Sequence, residues 1–318
     1  MNLRRNDSQR NRTLAPRSSQ VATIHAPAKI NLFLDVLGRT GDGYHELATL
    51  MLPIRWFDSL TFEPLPAEND RPGPFEFAMC GVGLDGNVPE DSRNLVIRAL
   101  QLLRERNGCD AGARVELVKR IPSGAGLGGG SSDAAAALQL ANRGWNLNWP
   151  AERLATLAAE LGSDVPFFLA SGAAICRGRG ERIERLPPGR PLDLVIVKPP
   201  ASLSTADVYR RFDELPVEEG RPRNQVALAS LVNDLRQGAV RRMAAWMSNG
   251  LQAAAASLSS WIGRLAAAFA ELGFAAHQLT GSGAAYFGVC RHAGEARRLA
   301  MTLHSRQLGR VFVTRSCG

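Results

Sequence analysis

The feature that most constrains this chain is a glycine-rich segment, PSGAGLGGGSS, at residues 122–132. A strand predicted over residues 114–121 precedes it, and an alanine-rich helix predicted from Asp133 to about Asn142 follows it. Glycines without side chains allow backbone N–H groups to approach a ligand closely. The positive end of the helix dipole adds to those groups. The segment therefore predicts a loop that cradles phosphate, because a mobile linker would not need this position between a strand and a helix.

Two well-known phosphate-binding loops do not account for the segment. A P-loop needs a lysine after its second glycine, and counting from Gly124 places Gly130 at that position. The dinucleotide-binding pattern G-x-G-x-x-G does match at Gly124, Gly126 and Gly129. That pattern also requires the helix to lead into a second strand, whereas residues 142–145 here lead into another predicted helix. The P-loop is therefore excluded by its missing lysine, and the dinucleotide-binding pattern is excluded by its structural context.

The charge of the chain points to small anionic ligands rather than to nucleic acid. The net charge is +8, and half of it lies in the arginine-rich residues 1–22. We predict that these residues form a disordered basic tail. The rest carries no dense basic patch interleaved with aromatic residues, so we predict no nucleic-acid partner. Lysine occurs only at Lys29, Lys119 and Lys198, which draws attention to each of them.

The cysteine pattern and the hydropathy pattern bear on where the protein works. Five cysteines are scattered without a C-x-x-C pair, which predicts no disulfide framework, no structural zinc site and a cytoplasmic location. The N-terminal segment lacks the apolar stretch of a secretory signal. Residues 243–263 lack charge over a membrane-spanning length, but their serines and asparagine favour helices of a soluble domain. We predict no membrane association.

The order of predicted elements indicates an α+β protein with two domains. Alternating apolar residues around Lys29 and Asn31 predict an early strand that carries both side chains on one face. Strands and helices then follow in two unequal blocks. We place the domains at residues 23–175, with the glycine-rich loop, and at residues 176–318.

Several segments together resemble the GHMP kinase superfamily, which includes galactokinase, homoserine kinase and mevalonate kinase. PSGAGLGGGSSDAAAAL at residues 122–138 resembles their phosphate loop, and TGSGA at residues 280–284 resembles their C-terminal glycine motif. APAKINL (26–32), GDGYHEL (41–47) and LGSDVPF (161–167) resemble in particular the members that phosphorylate a cytidine diphosphate-linked sugar alcohol. The resemblance runs from about residue 22 to the end of the chain.

This resemblance implies both a fold and a reaction. The fold is an N-terminal ribosomal-protein-S5-like domain and a C-terminal ferredoxin-like domain with a cleft between them. The reaction is ATP-dependent phosphorylation of the 2-hydroxyl of 4-diphosphocytidyl-2-C-methyl-D-erythritol, giving the 2-phosphate and ADP in the non-mevalonate isoprenoid pathway. ATP and Mg²⁺ are the implied cofactors, although no carboxylate pair identifies the metal ligands. The partners would be these small molecules, with no obligate protein partner.

The resemblance also assigns roles to residues of the ATP site and the catalytic site. Asp164 is the implied catalytic base, and Lys29 lies beside it, keeps it ionised and offsets charge on the transferred phosphoryl group. Whether Asp164 removes the proton or only orients the hydroxyl stays open, and from local sequence alone it also suits a turn carboxylate. The implied ATP-binding residues form the loop itself: Pro122, Ser123, Gly124, Ala125, Gly126, Leu127, Gly128, Gly129, Gly130, Ser131 and Ser132.

The substrate-binding residues follow from the same resemblance. Asn31 bonds the substrate, Tyr44 stacks on the cytosine ring and His45 donates or accepts hydrogen bonds at the base. Tyr209 supplies a second aromatic wall. A supporting glycine turn would approach the loop: Gly281, Ser282 and Gly283. Without the resemblance, Tyr44 and His45 would be ordinary hairpin residues, and the glycine turn a plain hairpin.

Three alternatives remain open from the sequence. A GHMP kinase acting on another alcohol is the nearest, and the GYH segment argues against it. A nucleotide-dependent oxidoreductase would use the three glycines of the G-x-G-x-x-G pattern. A nucleic-acid-binding module would use the basic tail, and its binding would be sensitive to salt.

Overall fold

The first sheet is organised around one long hairpin. The computed structural model describes residues 21–41, 43–67, 71–84, 88–216 and 225–317, so the predicted tail lies almost wholly outside the described residues. Strand β1 (Ala22–Arg39) runs antiparallel to β2 (His45–Leu65). Three register shifts interrupt their pairing, and such bulges bend and twist a hairpin of this length. The alternation predicted around Lys29 and Asn31 is confirmed as part of β1.

Five further strands complete the first sheet of seven strands. Its main path runs β3-β4-β2-β1-β8, and β5 pairs with β2 on one side and β6 on the other. β4 pairs with the second half of β2, and β5 pairs with its first half. The added strands are β3 (Phe75–Cys80), β4 (Gly112–Val118), β5 (Ala174–Gly178), β6 (Arg182–Arg185) and β8 (Ser248–Asn249).

Of the four helices described in the first part of the chain, the second and fourth pack against this sheet, and the first and third pack against those two helices around one apolar core. Buried alanines of α2 lie in that core with Phe62, Val115 and Leu138, and small side chains allow the helix to approach the sheet closely. The side chain of Asn94 caps the first of these helices, α1. The helices are α1 (Leu95–Asn107), α2 (Gly129–Gly144), α3 (Ala151–Leu161) and α4 (Val165–Ala170).

The second sheet has four antiparallel strands in the order β11-β7-β10-β9. Six helices accompany it within the residues that the structure describes. This strand order, with helices between the strands, is the arrangement of a ferredoxin-like domain. The elements are β7 (Asp193–Lys198), β9 (Ala276–Leu279), β10 (Tyr286–Cys290), β11 (Arg310–Arg315), α5 (Thr205–Glu214), α6 (Gln225–Gln237), α7 (Val240–Met243), α8 (Gln252–Leu258), α9 (Ser260–Glu271) and α10 (Ala293–Ser305).

The strand pairing bears on the domain boundary, which the sequence places between residues 175 and 176. A division between residues 175 and 176 would cut β5, and β5 and β6 both belong to the first sheet. We therefore propose to divide the chain in the connection at residues 186–192. The later part of the chain also returns to the first sheet, because β8 pairs parallel with β1 at Phe33 and Ser248. A shared core that includes Ile30, Leu194 and Phe287 joins the two parts.

The uncharged stretch at residues 243–263 is divided among short elements rather than forming one long helix. It contains the end of α7, β8, α8 and the start of α9. In the described part of the chain, no helix combines the length and the apolar character needed to cross a bilayer.

Candidate active site

A cavity of about 570 Å³ lies where the glycine-rich loop, strand β1 and the second part of the chain meet. Its volume is within the range of small-molecule sites. The loop from Pro122 to Ser131 lines it, together with Lys29, Asn31 and Asp164. The wall from the second part of the chain includes Tyr209 and the predicted glycine turn: Gly281, Ser282 and Gly283. The structure thus brings most of the predicted site residues to one cavity.

The glycine-rich loop forms the N-terminus of α2. The helix begins at Gly129, earlier than the predicted start at Asp133, and Gly128 precedes it with a left-handed φ of 71°. The N–H groups of the first turn have no acceptor within the helix, and Gly129, Gly130 and Ser131 of that turn line the cavity. Helix dipole and N–H groups therefore favour an anion there. Ser132 is the exception among the predicted loop residues, because it is buried behind the lining.

The loop is held against the C-terminal glycine turn. The N–H of Ala285 donates to the carbonyl oxygen of Ala125 at 3.1 Å. The hydroxyl of Thr280 lies 3.3 Å from the carbonyl oxygen of Gly126. A β-carbon on Gly126 would lie 2.2 Å from the carbonyl oxygen of Thr280, so this close approach requires glycine. The two parts of the chain therefore form the cavity wall jointly.

Lys29 and Asp164 form a pair inside the cavity. The Lys29 ammonium lies 3.5 Å from a carboxylate oxygen of Asp164, and the Lys29 side chain is 4% exposed against 36% for Asp164. Asp164 stands at the N-cap position of α4 but makes no side-chain cap bond. Asp164 is therefore not a turn carboxylate whose side chain caps the helix. The carboxylate is therefore accessible to a ligand, and the ammonium beside it is buried.

Asn31 fixes the position of Lys29. Its side-chain oxygen accepts a hydrogen bond from the Lys29 ammonium at 2.8 Å, and its amide nitrogen donates to the Thr49 hydroxyl at 2.8 Å. The side chain of Gln278 donates to the backbone oxygen of Asn31 at 2.8 Å. A buried lysine keeps its charge only where such partners compensate for lost hydration. These contacts explain why an asparagine occupies position 31, because its amide both accepts and donates a hydrogen bond. Its predicted contact with substrate stays a prediction.

Of the predicted base-binding residues, Tyr209 lines the cavity, whereas Tyr44 and His45 lie beside the lining. Tyr209 lines the cavity, and burial, followed by the negative charge of Asp164, raises the pKa of its phenol. His45 stacks on Tyr209 with ring centroids 4.8 Å apart and an interplanar angle of 28°. Tyr44 is 54% exposed, and the guanidinium of Arg179, which lines the cavity, lies 4.7 Å from its ring centre. Tyr44 and His45 therefore adjoin the lining without forming part of it.

A buried charge cluster under the loop was not predicted. The Lys119 ammonium donates to Asp58 and, at 2.7 Å, to Asp133, and all three side chains are at most 4% exposed. Asp58 also accepts from the backbone N–H groups of Arg120 and Ile121. The cluster therefore fastens the strand end before the loop to the helix after it. The rarity of lysine in the sequence was the available signal for Lys119.

The cluster places two carboxylates around one ammonium. Burial raises the pKa of Asp133 to about 7, against the opposing effect of Lys119 and with the support of Asp58. Burial acts to lower the pKa of Lys119, but the two carboxylates outweigh it and the pKa is raised. One oxygen of Asp133 is buried without a hydrogen-bond partner. A proton on Asp133 would balance the charge of this group.

The far end of the cavity was also not predicted. It is formed by the segment before α1 and by the end of β4: Val88, Pro89, Arg93, Asn94, Leu95 and Leu117. In the sequence, Asn94 signals only a helix cap, and it does cap α1 by accepting from the N–H of Val96 at 2.9 Å. The apolar side chains of this end carry no chemical motif, so only the fold brings them together beside the loop.

Comparison with known proteins agrees with the two-part architecture. The family model for the GHMP kinases N terminal domain matches residues 94–172, and the model for the GHMP kinases C terminal matches residues 231–306. The homoserine kinase from Cytophaga hutchinsonii has the same fold, with a TM-score of 0.72 at 19% identity over 95% of this chain and 96% of that chain. A GHMP kinase is therefore the class of protein that this fold and these two family matches define.

More similar proteins narrow the class to one family. A 4-diphosphocytidyl-2-C-methyl-D-erythritol kinase from Pelotomaculum thermopropionicum is 41% identical over 93% of this chain and 98% of its own length. A crystal structure of 4-(cytidine 5'-diphospho)-2C-methyl-D-erythritol kinase superimposes with a TM-score of 0.76 at 34% identity, covering 93% of this chain and all of that one. The chain belongs to the 4-diphosphocytidyl-2-C-methyl-D-erythritol kinase family of the GHMP kinases.

Proposed function

We propose that this enzyme transfers the γ-phosphoryl group of ATP to the 2-hydroxyl of 4-diphosphocytidyl-2-C-methyl-D-erythritol. The products are the 2-phosphate and ADP, and the reaction belongs to the non-mevalonate route to isoprenoid precursors. The observation that carries the proposal is the Lys29–Asp164 pair at 3.5 Å in the same cavity as the N-terminus of α2. A charge pair for the acceptor and a cradle for the phosphates are what phosphoryl transfer requires.

The proposed chemistry at the acceptor uses the unequal exposure of the pair. The accessible carboxylate of Asp164 accepts the proton of the substrate hydroxyl as the oxygen attacks the γ-phosphorus. The buried ammonium of Lys29 lies 3.5 Å from that carboxylate. The same ammonium donates toward the equatorial oxygens of the transferred group, where negative charge is spread in the transition state. Asn31 holds Lys29 in place for this task.

The proposed nucleotide position follows the shape of the cavity. The triphosphate lies on the first turn of α2, where Gly129, Gly130 and Ser131 present backbone N–H groups. The nucleoside then extends toward the apolar end of the cavity beside Leu95 and Leu117. The Asp58–Lys119–Asp133 cluster stabilises the position of the loop, because its ion pairs connect the strand end before the loop to the helix after it.

Magnesium fits this site as a companion of the phosphates. Among the residues that the structure describes, no group of three or more His, Cys, Asp or Glu side chains could hold a metal ion. Mg²⁺ commonly takes most of its ligands from phosphates and water, with one or two from protein. The hydroxyl of Ser131, which lines the cavity, would hold it. When bound, the ion neutralises charge on the β- and γ-phosphates.

The cytidine moiety is proposed to bind at the opposite end of the acceptor site, against the ring of Tyr209. Tyr44 and His45 complete this base site, as the resemblance implies. The absence of a nucleic-acid, membrane or protein partner and the cytoplasmic location stay predictions from composition and the cysteine pattern.

The experiment is a coupled ADP-release assay with Mg²⁺-ATP and a panel of acceptors. The panel contains 4-diphosphocytidyl-2-C-methyl-D-erythritol, homoserine and mevalonate, and ³¹P NMR locates the new phosphate on the product. We expect turnover with the cytidine-linked acceptor and phosphate on its 2-hydroxyl. Turnover of another alcohol in its place would move the enzyme to a different GHMP activity. Failure to bind ATP would contradict the role of the loop.

A further inference from the structure

One buried hydroxyl of the cavity lining has no part in the mechanism above. It belongs to Thr49 of β2, which is 3% exposed and lines the same cavity as the Lys29–Asp164 pair. The register partners of Thr49 are Leu34 on β1 and Cys176 on β5, so Thr49 lies between two paired strands. A hydroxyl buried in this way needs hydrogen-bond partners within the protein.

The Thr49 hydroxyl donates its only proton to the backbone. It lies 2.6 Å from the carbonyl oxygen of Phe33, and a carbonyl oxygen can only accept. The pairing of β1 with β2 shifts register between Asn31 and Phe33, and such a bulge disrupts the regular ladder of backbone hydrogen bonds. The Phe33 carbonyl thus fixes the hydroxyl proton, and the Thr49 oxygen can serve other partners only as an acceptor.

The direction of this bond determines which way the Asn31 amide points. An asparagine amide has an oxygen that accepts and a nitrogen that donates. Because the Thr49 oxygen offers only lone pairs, the amide nitrogen faces it, at 2.8 Å. The amide oxygen then faces the Lys29 ammonium at 2.8 Å, and an ammonium can only donate. The Thr280 hydroxyl donates to the same amide oxygen at 3.3 Å, which agrees with this orientation.

Each hydrogen bond in this series depends on the one before it. Without the Thr49 hydroxyl, the amide nitrogen of Asn31 would lose its acceptor in a buried place, and an unsatisfied buried donor is unfavourable. Turning the amide over would not help, because its nitrogen would then face the Lys29 ammonium, donor against donor. The amide would therefore lose its fixed orientation, and the ammonium would lose the partner that holds it 3.5 Å from Asp164.

We propose that Thr49 is a positioning residue for phosphoryl transfer, which orients the Asn31 amide so that the amide oxygen holds the Lys29 ammonium beside Asp164. The proposal rests on the function proposed above and adds to it a residue of β2 that lies behind the reacting groups. Thr49 acts through Asn31 and does not itself touch the transferred phosphoryl group.

The test compares Thr49→Val and Thr49→Ser with the wild type in the ADP-release assay with Mg²⁺-ATP and 4-diphosphocytidyl-2-C-methyl-D-erythritol. Valine keeps the branched shape of threonine without the hydroxyl, whereas serine keeps the hydroxyl without the methyl group. We expect kcat of Thr49→Val to fall about tenfold, the equivalent of one hydrogen bond, at nearly constant KM for both substrates. Thr49→Ser should retain most of the wild-type kcat.

Thr61→Val is the matched control for the loss of a hydroxyl from β2. The Thr61 hydroxyl lies 3.0 Å from that of Thr23, outside the cavity lining, and we expect its removal to leave kcat unchanged. A wild-type kcat in Thr49→Val would overturn the proposal. So would a raised KM for the cytidine-linked substrate at constant kcat, which would mean that the hydroxyl contacts the substrate. Equal losses of kcat in Thr49→Val and Thr49→Ser would assign the effect to packing and would also overturn it.

Hydrogen exchange of the Asn31 side-chain amide, followed by NMR and assigned with Asn31→Asp, is a second readout that needs no substrate. We expect slow exchange in the wild type and in Thr49→Ser, and faster exchange in Thr49→Val. The same slow exchange in Thr49→Val would overturn the proposal, because the amide would then be held without the hydroxyl. No turnover of the cytidine-linked substrate by the wild type would instead overturn the proposed function.

Discussion

Replacing Gly126 by alanine tests the junction between the phosphate loop and the C-terminal glycine turn. The new β-carbon would lie 2.2 Å from the carbonyl oxygen of Thr280 and 3.1 Å from that of Gly283. Both neighbours are backbone atoms, so the loop or the turn must shift. Gly124 is the matched control: its φ of 60° is close to the 73° of Gly126, but its β-carbon would meet nothing nearer than Ser202 at 3.6 Å.

The two substitutions share one cost and differ in the other. Alanine in the left-handed region costs about 1–2 kcal/mol at either position. Overpacking adds about 1–3 kcal/mol, and only at Gly126. Since each kcal/mol corresponds to roughly 2–4 °C in a protein of this size class, we expect Gly126→Ala to melt roughly 2–12 °C below Gly124→Ala. Thermal unfolding followed by circular dichroism measures the difference. Equal Tm values would refute the tight contact between loop and turn.

Three further predictions concern the base site, the buried cluster and the metal. Tyr209→Ala should raise KM for the cytidine-linked substrate about 5- to 150-fold, as expected for losing one stacked base worth about 1–3 kcal/mol. The increase should exceed that in Tyr44→Ala, because Tyr209 is partly buried and lines the cavity while Tyr44 is 54% exposed. An unchanged KM in Tyr209→Ala would remove that ring from the base site. The pKa of Asp133 is raised by burial to about 7, above about 3.9 in the unfolded chain, so its stabilising contribution is complete below about pH 4 and is lost as the pH rises toward 7. The Tm of Asp133→Asn should therefore decrease less than the Tm of the wild type when the pH is raised from 5 to 8. Equal decreases in the two proteins would argue against the titration of Asp133. Ser131→Ala should raise the Mg²⁺ concentration at half-maximal activity with little change in Tm, and an unchanged Mg²⁺ requirement would exclude that hydroxyl as a ligand.

The local chemistry of the site could be predicted wherever a short segment carried it. Lys29 and Asn31 were expected on one face of a strand because side chains alternate with a period of two, and β1 presents both of them to the cavity. The phosphate loop was expected from its glycines between a strand and a helix. The contacts of Asn31 with Thr49 and Thr280 join residues far apart in the sequence, and no local pattern encodes such contacts.

The start of α2 shows where propensity misled the prediction. Glycine is a poor helix former, so the sequence favoured a start at Asp133 instead of Gly129. In the structure a β-carbon at Gly129 would lie 3.0 Å from Ile121 and 3.2 Å from the Lys119 ammonium. The first turn therefore needs glycine in order to pack over the charge cluster, and this packing overrides the propensity.

The domain boundary and the charge cluster could not be predicted because both depend on contacts between residues distant in the sequence. β5 and β6 follow the last helix of the first part, and only the pairing of β5 with β2 and of β6 with β5 assigns them to the first sheet. Asp58 lies in a long strand where an acidic residue suggests an exposed position. Its partners, Lys119 and Asp133, are more than sixty residues away in sequence, and the ammonium that explains both carboxylates becomes visible only in the fold.

Replacement of Asp164 by asparagine is the most direct test of the central claim, that phosphoryl transfer takes place at the Lys29–Asp164 pair. The measurement is kcat of Asp164→Asn with Mg²⁺-ATP and 4-diphosphocytidyl-2-C-methyl-D-erythritol, with substrate affinity determined by calorimetry on the same protein. We predict that kcat falls about 10²- to 10⁴-fold, the usual contribution of a positioned acid or base, while Kd changes little because the amide keeps the shape of the carboxylate. A variant that retains wild-type kcat would contradict the assignment of the catalytic site.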